Sequence, residues 1–190
     1  MLNVANRDAG PRVHIDLRDA TLRMALSFAV DEAGWTRAAR REPGTALVAD
    51  WLVHHPATPP LDVLVIPSTP AAARRAVDAF TAGAVRSVLR ANEPGALPGV
   101  LDLVQRDLGV VPAAVVEAAR AFPPLTLRLE RTLRLVLCGW SNKAIAAYVH
   151  QSEATTKRDV TELLRRFDAP NRMALASTAL RLGVHPEGRR

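Results

Sequence analysis

The sequence has 190 residues, of which 48% are hydrophobic, and a formal net charge of +6 at pH 7. This composition is that of a folded protein with room for one domain of ordinary size and a smaller one. No apolar run approaches the roughly 20 residues of a membrane-spanning helix, and the first residues lack the apolar core of a signal peptide. We therefore expect a cytoplasmic protein without membrane contact. Its single cysteine, Cys138, excludes an internal disulfide.

The excess positive charge is confined to the last third of the chain. Residues 125–190 contain 12 Lys and Arg against 6 Asp and Glu, whereas residues 1–124 contain 13 of each kind. A basic segment beside a neutral one is expected where one part of a protein binds phosphates. A basic surface that serves only solubility has the same pattern, so charge alone leaves both interpretations open.

Strands and helices alternate in the first part of the chain, as in a small parallel α/β sheet with right-handed crossovers. The predicted strands are residues 12–17, 45–53, 61–66 and 85–89, and the predicted helices are residues 19–33, 70–82 and 97–108. A connecting helix over residues 113–121 and a Phe-Pro-Pro boundary follow. We predict an α/β domain over residues 1–112, a linker over 113–124 and an all-helical domain over 125–190.

The last segment predicts four short helices separated by tight turns. Each helical run is preceded by a residue that can cap it, and the runs end near residues 138, 149, 167 and 182. The capping residues are Thr126, Ser141, Ser152 and Asn171. In the third helix the apolar residues Val160, Leu163, Leu164 and Phe167 are predicted to face inward. The opposite face then carries Lys157, Arg158, Thr161 and Arg165, which suits the major groove of DNA or simply a solvated basic surface.

Three motifs in this segment resemble the LuxR/NarL/FixJ type of helix-turn-helix domain. They are SNKAIA at residues 141–146, Ser152 followed by TTK at residues 155–157, and APNR at residues 169–172. The resemblance implies a four-helix, helix-turn-helix domain that binds double-stranded DNA through its third helix and forms homodimers through its fourth. It places Thr156 and Lys157 at base-contacting positions, and Ser141, Asn142, Lys143, Thr155 and Arg158 at or near backbone-contacting positions. It places Arg172, Leu175, Ala176 and Ala179 on the helix that serves dimerisation.

The segment departs from the family pattern at three positions, Leu129, Thr156 and Asp159. A carboxylate at position 159 would repel phosphates and weaken DNA binding if it faced them. Alternatively, Arg158, Arg166 or another basic residue neutralises it locally. If DNA binding has been lost, the protein is instead an interaction module that heterodimerises with a related regulator.

Residues 12–112 are similar to a receiver domain that has been shortened, which implies an atypical, orphan response regulator. Arg90 takes the place of the receiver's lysine, and Ser68 falls near its switch hydroxyl. Leu17 and Arg18 occupy the positions of the acidic pair that binds Mg²⁺, a cation that requires oxygen ligands. We therefore expect no metal, no cofactor and no phosphoacceptor, and Asp50 is interpreted as the end of a strand. The segment is also short enough that we expect at least one strand–helix unit to be missing.

No catalytic motif is visible, so we do not expect an enzyme. Adjacent histidines such as His54 and His55 point to different sides of any regular element, which makes them unsuitable as a metal pair. Cys138 lies in an apolar setting and has no arranged partner, as expected of a core residue. Trp35, Trp51 and Trp140 are interpreted as packing residues. A small molecule that binds the α/β domain remains a possible means of control.

Overall fold

The computed structural model describes residues 11–50 and 60–186, which fall into two compact units. The first unit extends to residue 119 apart from residues 69–71, and the second comprises those three residues and the chain from residue 120. Trp51, His54, His55 and the end of the predicted strand 45–53 lie outside the described residues.

The first unit is built on a five-stranded sheet in which all strands are parallel. Its strands, in the order in which they occur along the chain, are β1 Arg12–Asp16, β2 Thr36–Arg37, β3 Ala46–Ala49, β4 Leu61–Ile66 and β5 Val85–Arg90. Their spatial order is β2-β1-β3-β4-β5. Strand β4, which is paired on both sides, is almost wholly buried, in keeping with its mostly apolar sequence.

Two α-helices pack on each face of this sheet. The four helices are α1 Ala20–Glu32, α2 Pro70–Thr81, α3 Leu97–Gln105 and α4 Ala113–Arg120. On one face, Leu26 of α1 and Leu101 of α3 are buried in one core cluster with Val13 of β1. The other face packs Ala76 of α2 and Val115 of α4 into a second cluster around β4 and β5.

The prediction that a whole strand–helix unit is missing is wrong with respect to the strand. All five strands are present, and it is helices that are absent from the described residues between β2 and β4. The polar residues of β1 suit a sheet face without a helix: Arg12 forms an ion pair with Glu42 at 2.9 Å, and His14 Nδ1 lies 3.0 Å from the carbonyl oxygen of Ala38. Strand β2 has only two residues, both exposed, so the sequence carries no strand pattern there.

The second unit contains the four predicted helices. They are α5 Leu127–Leu137, α6 Asn142–Tyr148, α7 Glu153–Arg166 and α8 Arg172–Arg181. Each predicted N-cap is confirmed, since the side chains of Thr126, Ser141, Ser152 and Asn171 all accept a hydrogen bond from a first-turn backbone N–H. The helices enclose one apolar core, whose fully buried residues are Leu133, Ile145, Leu163, Leu175 and Ala179. None of the helices in the described ranges is both long and apolar enough to cross a membrane.

Candidate nucleic-acid interface

Helices α6 and α7 form a tightly connected pair in which both N-termini are capped. Ser141 Oγ accepts from Ala144 N–H at 3.2 Å, and Ser152 Oγ accepts from Thr155 N–H at 3.1 Å. Between the helices, His150 adopts a left-handed conformation with φ of 55°, which lets the chain reverse within four residues. A cap of this kind is worth about 1 kcal/mol, so both helix starts are well defined.

One face of α7 is exposed and basic, as its sequence predicts. Lys157, Arg158, Thr161 and Arg165 are exposed, while Val160, Leu163 and Phe167 are buried and Leu164 is half-buried. No described residue forms an ion pair with Lys157 or Arg158. These two cations are therefore available to an external anion.

Arg165 is already engaged within α7. Its guanidinium donates two hydrogen bonds to Glu162, at 2.9 and 2.8 Å, and Arg166 donates a third at 2.7 Å. These bonds, first from Arg165 and then from Arg166, lower the pKa of Glu162 to about 2. Glu162 is therefore ionised at neutral pH and offsets part of the positive charge at this end of the helix.

The structure corrects the role of Thr156, which sequence comparison places at a base-contacting position. Thr156 is fully buried, and its hydroxyl accepts a hydrogen bond from Gln151 Nε2 at 2.8 Å and donates to Ser152 O at 3.4 Å. The side chain thus ties the turn to α7 and cannot reach a base edge. Thr155, by contrast, is partly exposed beside the Ser152 hydroxyl at 2.8 Å.

Asp159 points into the second unit and is only 3% exposed. Its carboxylate lies 3.1 Å from Arg128 Nη2 of α5 and 3.4 Å from Gln151 Nε2. Of the two alternatives for this residue, local neutralisation is the one observed, although the partner is neither Arg158 nor Arg166. Sequence reasoning missed Arg128 and Gln151. The spacing of position 159 from Thr156 and Leu163, three and four residues, was a sign that it faces inward.

Of the DNA-contacting residues predicted at the start of α6, two are exposed and one contacts another residue of the second unit. Ser141 and Lys143 are exposed, whereas Asn142 is half-buried and its Oδ1 lies 3.4 Å from Arg172 Nη1. Arg172 also donates to the carbonyl oxygen of Trp140, and burial lowers the pKa of its guanidinium. Arg172 therefore fastens the start of α8 to the turn before α6. Trp140 packs edge-to-face on Tyr148, with ring centroids 5.1 Å apart.

Burial excludes a dimer contact for two of the four residues predicted to serve dimerisation. Leu175 and Ala179 are 0% exposed because they belong to the core of the second unit, so they cannot contact another protein. Ala176 is half-buried. The outward face of α8 instead presents Met173 and Leu180, which are 80% and 50% exposed.

In the first unit, Asp50 follows β3 at the carboxyl end of the sheet. Its carboxylate accepts a hydrogen bond from the backbone N–H of Arg18 at 3.3 Å. Leu17, which precedes Arg18, is buried and apolar, so it cannot supply an oxygen ligand to Mg²⁺ at this end of β1. In the ranges that the structure describes, no group of three or more His, Cys, Asp or Glu residues is placed to hold a metal.

The other predicted receiver remnants and packing residues are also placed. Ser68 donates to Asn92 Oδ1 at 2.9 Å, and Arg90 pairs with Glu93 at 2.9 Å. Trp35 is buried in the core of the first unit, as a packing residue should be. Cys138 caps the end of α5 and is only half-buried.

No protein-family model matches the sequence, and no curated protein matches it. The fold, however, is similar to that of solved response regulators. RcsB of Salmonella typhimurium matches with a TM-score of 0.52 at 14% identity, covering 87% of this chain and 97% of that chain. A structure of two RcsB dimers bound to two parallel DNAs matches with a TM-score of 0.52 at 15% identity, covering 90% and 98%.

A third structure, RcsB from Salmonella enterica serovar Typhimurium bound to promoter P1flhDC, has a TM-score of 0.52 at 14% identity and covers 88% of this chain and 96% of that chain. At such low identity the similarity shows the fold and nothing more. The chain therefore has a response-regulator-like fold, with a parallel α/β domain of the receiver kind followed by a four-helix domain.

The buried position of Asp159 predicts that Arg128 stabilises the second unit. In Arg128→Ala, the carboxylate would remain almost fully buried with only Gln151 close to it, so we expect a loss of roughly 1–3 kcal/mol in the free energy of unfolding. Arg158→Ala removes the same charge from an exposed position without an ion pair and should change stability by less than about 0.5 kcal/mol. Urea unfolding of the full chain measures both, and equal stability of the two variants would contradict the structural role of Arg128.

Proposed function

We propose that the protein is a DNA-binding transcriptional regulator of the LuxR/NarL type that acts as a dimer. The observation that carries this proposal is the exposed face of α7, on which Lys157 and Arg158 are free of ion pairs within the described residues. This helix follows a capped helix and a short turn, which is the arrangement that presents side chains to the major groove. Because the whole excess positive charge lies in residues 125–190, the phosphate backbone would attract this unit.

In this proposal the exposed residues divide the work of recognition. Lys157 reaches base edges, since it lies in the first half of α7 and points outward. Ser141, Lys143, Thr155 and Arg158 contact phosphates and fix the register of the protein on the duplex. Arg165 contributes less because Glu162 already holds its guanidinium.

Burial of the three unusual residues supports DNA binding over a pure interaction module. Leu129, Thr156 and Asp159 are each no more than 4% exposed. They therefore do not face the DNA, and the Asp159 carboxylate does not lie among the phosphates. From sequence, these three departures suggest that DNA binding has been lost. None of the three residues belongs to the exposed face of α7, so they do not alter that face.

Dimerisation is proposed to use the outward face of α8. Met173 and Leu180 are two turns apart on this face, with Ala176 between them, and both are large exposed apolar residues. Two symmetry-related copies of this face would bury them together. The solved structure of RcsB dimers on DNA supports the proposal by its similar fold.

We further propose that control does not require phosphorylation of the first unit. A receiver needs carboxylates around its Mg²⁺, and this chain has the buried Leu17 and the cation Arg18 beside Asp50. The first unit is thus a degenerate receiver-like domain that responds to a different signal.

Lys157→Ala should weaken binding to a DNA site selected from a random pool by roughly 1–3 kcal/mol. Arg106→Ala, which removes an equal charge from an exposed position in the first unit, should leave the affinity unchanged. A gel shift at fixed salt measures both variants. Unchanged affinity of the Lys157→Ala protein would reject α7 as the recognition helix.

Leu180→Asp should convert the dimer to a monomer, because a carboxylate would be placed in an apolar interface. The affinity for DNA with two half-sites should fall with it. Leu127→Asp makes the same change on α5, where Leu127 is 84% exposed, and should leave the dimer intact. Sedimentation equilibrium measures dimerisation of both variants. A Leu180→Asp protein that dimerises as strongly as the wild type would show that α8 is not the interface.

Incubation with acetyl phosphate and Mg²⁺ should not increase the mass of the protein by a phosphoryl group, because Leu17 and Arg18 near Asp50 carry no carboxylate for the metal. Intact-mass spectrometry is the measurement, with Asp50→Asn as the matched variant. A phosphorylated wild type and an unmodified Asp50→Asn protein would together overturn the phosphorylation-independent mechanism.

A further inference from the structure

An open pocket lies at the outer edge of β1 in the first unit. Its volume is about 720 Å³, within the range of small-molecule sites. Three parts of the unit line it: β1 contributes His14 and Ile15, α1 contributes Arg23 and Met24, and the end of β2 with the loop after it contributes Arg37 and Ala38.

The pocket lies where the pairing of β1 with β2 ends. Pairing between β1 and β2 ends at Val13 and Arg37, and the last backbone bond of this edge runs from Ala38 N–H to Val13 O at 2.8 Å. Alternate residues of a parallel strand direct their backbone groups to the same neighbour. The backbone N–H and C=O of Ile15 are therefore the next to face this side, and they lie beyond the paired part of the strand.

The polar lining of the pocket is basic. Arg23, Arg37 and His14 line it, and among the described residues no Asp or Glu does. The Arg23 guanidinium carries five N–H groups and donates one of them to the carbonyl oxygen of Leu17, at 2.9 Å. Arg37 pairs through Nε with Asp31 at 2.9 Å, but both side chains are about half-exposed, so this ion pair is weak. His14 Nδ1 donates to Ala38 O, which directs the other ring nitrogen away from that bond.

The rest of the lining is apolar and adaptable. Ile15 is half-buried, and Met24 is 68% exposed although it is a large apolar side chain. A methionine thioether fills irregular space and accommodates ligands of different shape. The pocket therefore combines two guanidinium groups with apolar side chains from β1 and α1.

We propose that this pocket binds a small organic acid whose carboxylate is held by Arg23 and Arg37 and whose apolar body lies on Ile15 and Met24. Guanidinium groups bind carboxylates through paired, charge-assisted hydrogen bonds. Such a ligand would give the first unit a signal that does not depend on phosphorylation. The binding itself does not depend on the proposed DNA-binding function, and it can be tested without DNA.

The test is titration of the ¹⁵N-labelled full chain with octanoate and phenylacetate, followed by two-dimensional NMR. Saturable shifts of the amides of Ile15, Met24 and Ala38 are expected with one or both acids. Octylamine has a comparable apolar chain and the opposite charge, and it should not bind. Saturation by octylamine as tight as that by octanoate, or no saturable shift with either acid, would overturn the proposal. Saturation by inorganic phosphate alone would also overturn it, because the site would then not require an organic acid.

Variants locate the site. Arg23→Gln and Arg37→Gln should each weaken octanoate binding about tenfold, the effect of losing one charge-assisted hydrogen bond. Asp31→Asn should strengthen binding, because it frees Arg37 from its only ion pair in the described chain. Arg40→Gln is the matched control, since the Arg40 side chain is 86% exposed and lies outside the lining. Wild-type affinity in both Arg23→Gln and Arg37→Gln would place the ligand elsewhere and refute the assignment.

Discussion

The packing of Leu163 in the core of the second unit fixes the rotation of α7, and the exposed surface of that helix follows from it. Leu163 is fully buried in one cluster with Leu133 of α5 and Ile145 of α6. Since a helix advances 100° per residue, burial of this one side decides which residues point outward. Lys157 and Arg158 therefore reach solvent, whereas Asp159 between this pair and Leu163 does not. A change that rotated α7 by a single residue would bury a lysine and expose a carboxylate.

A polar group on the buried side of α7 needs hydrogen-bond or ion-pair partners. The partners of Asp159 connect α7 with two other elements. Asp159 meets Arg128 of α5, and Gln151 of the turn reaches both Asp159 and Thr156. The ion pair is asymmetric, since the Arg128 side chain is 63% exposed and keeps most of its hydration while the carboxylate loses its own. Such a pair adds little net stability compared with an apolar side chain at position 159. Its structural effect is to hold the turn and α5 against the start of α7, the part of the helix that carries Lys157.

Much of the second unit could be predicted from sequence because its signals are local. Each N-cap lies three residues from the N–H that it accepts from, so spacing alone locates the helix starts. For Thr156 the family position predicts a base contact, whereas the helical period predicts burial. It lies four residues before Val160 and seven before Leu163, so it shares their inward side. The partnership of Arg128 and Asp159 joins residues 31 positions apart, and no local pattern contains it.

The first unit is a parallel sheet in which the described residues between β2 and β4 form no helix. Ligands of such sheets usually lie at the carboxyl ends of the strands. Here Leu17 is buried at that end of β1, and Arg18 N–H donates a hydrogen bond to Asp50. A pocket lies instead along the edge of β1 beyond its two-residue pairing with β2, where cationic and apolar side chains meet. The polar lining of that pocket is basic among the described residues, so it suits the carboxylate of an organic acid.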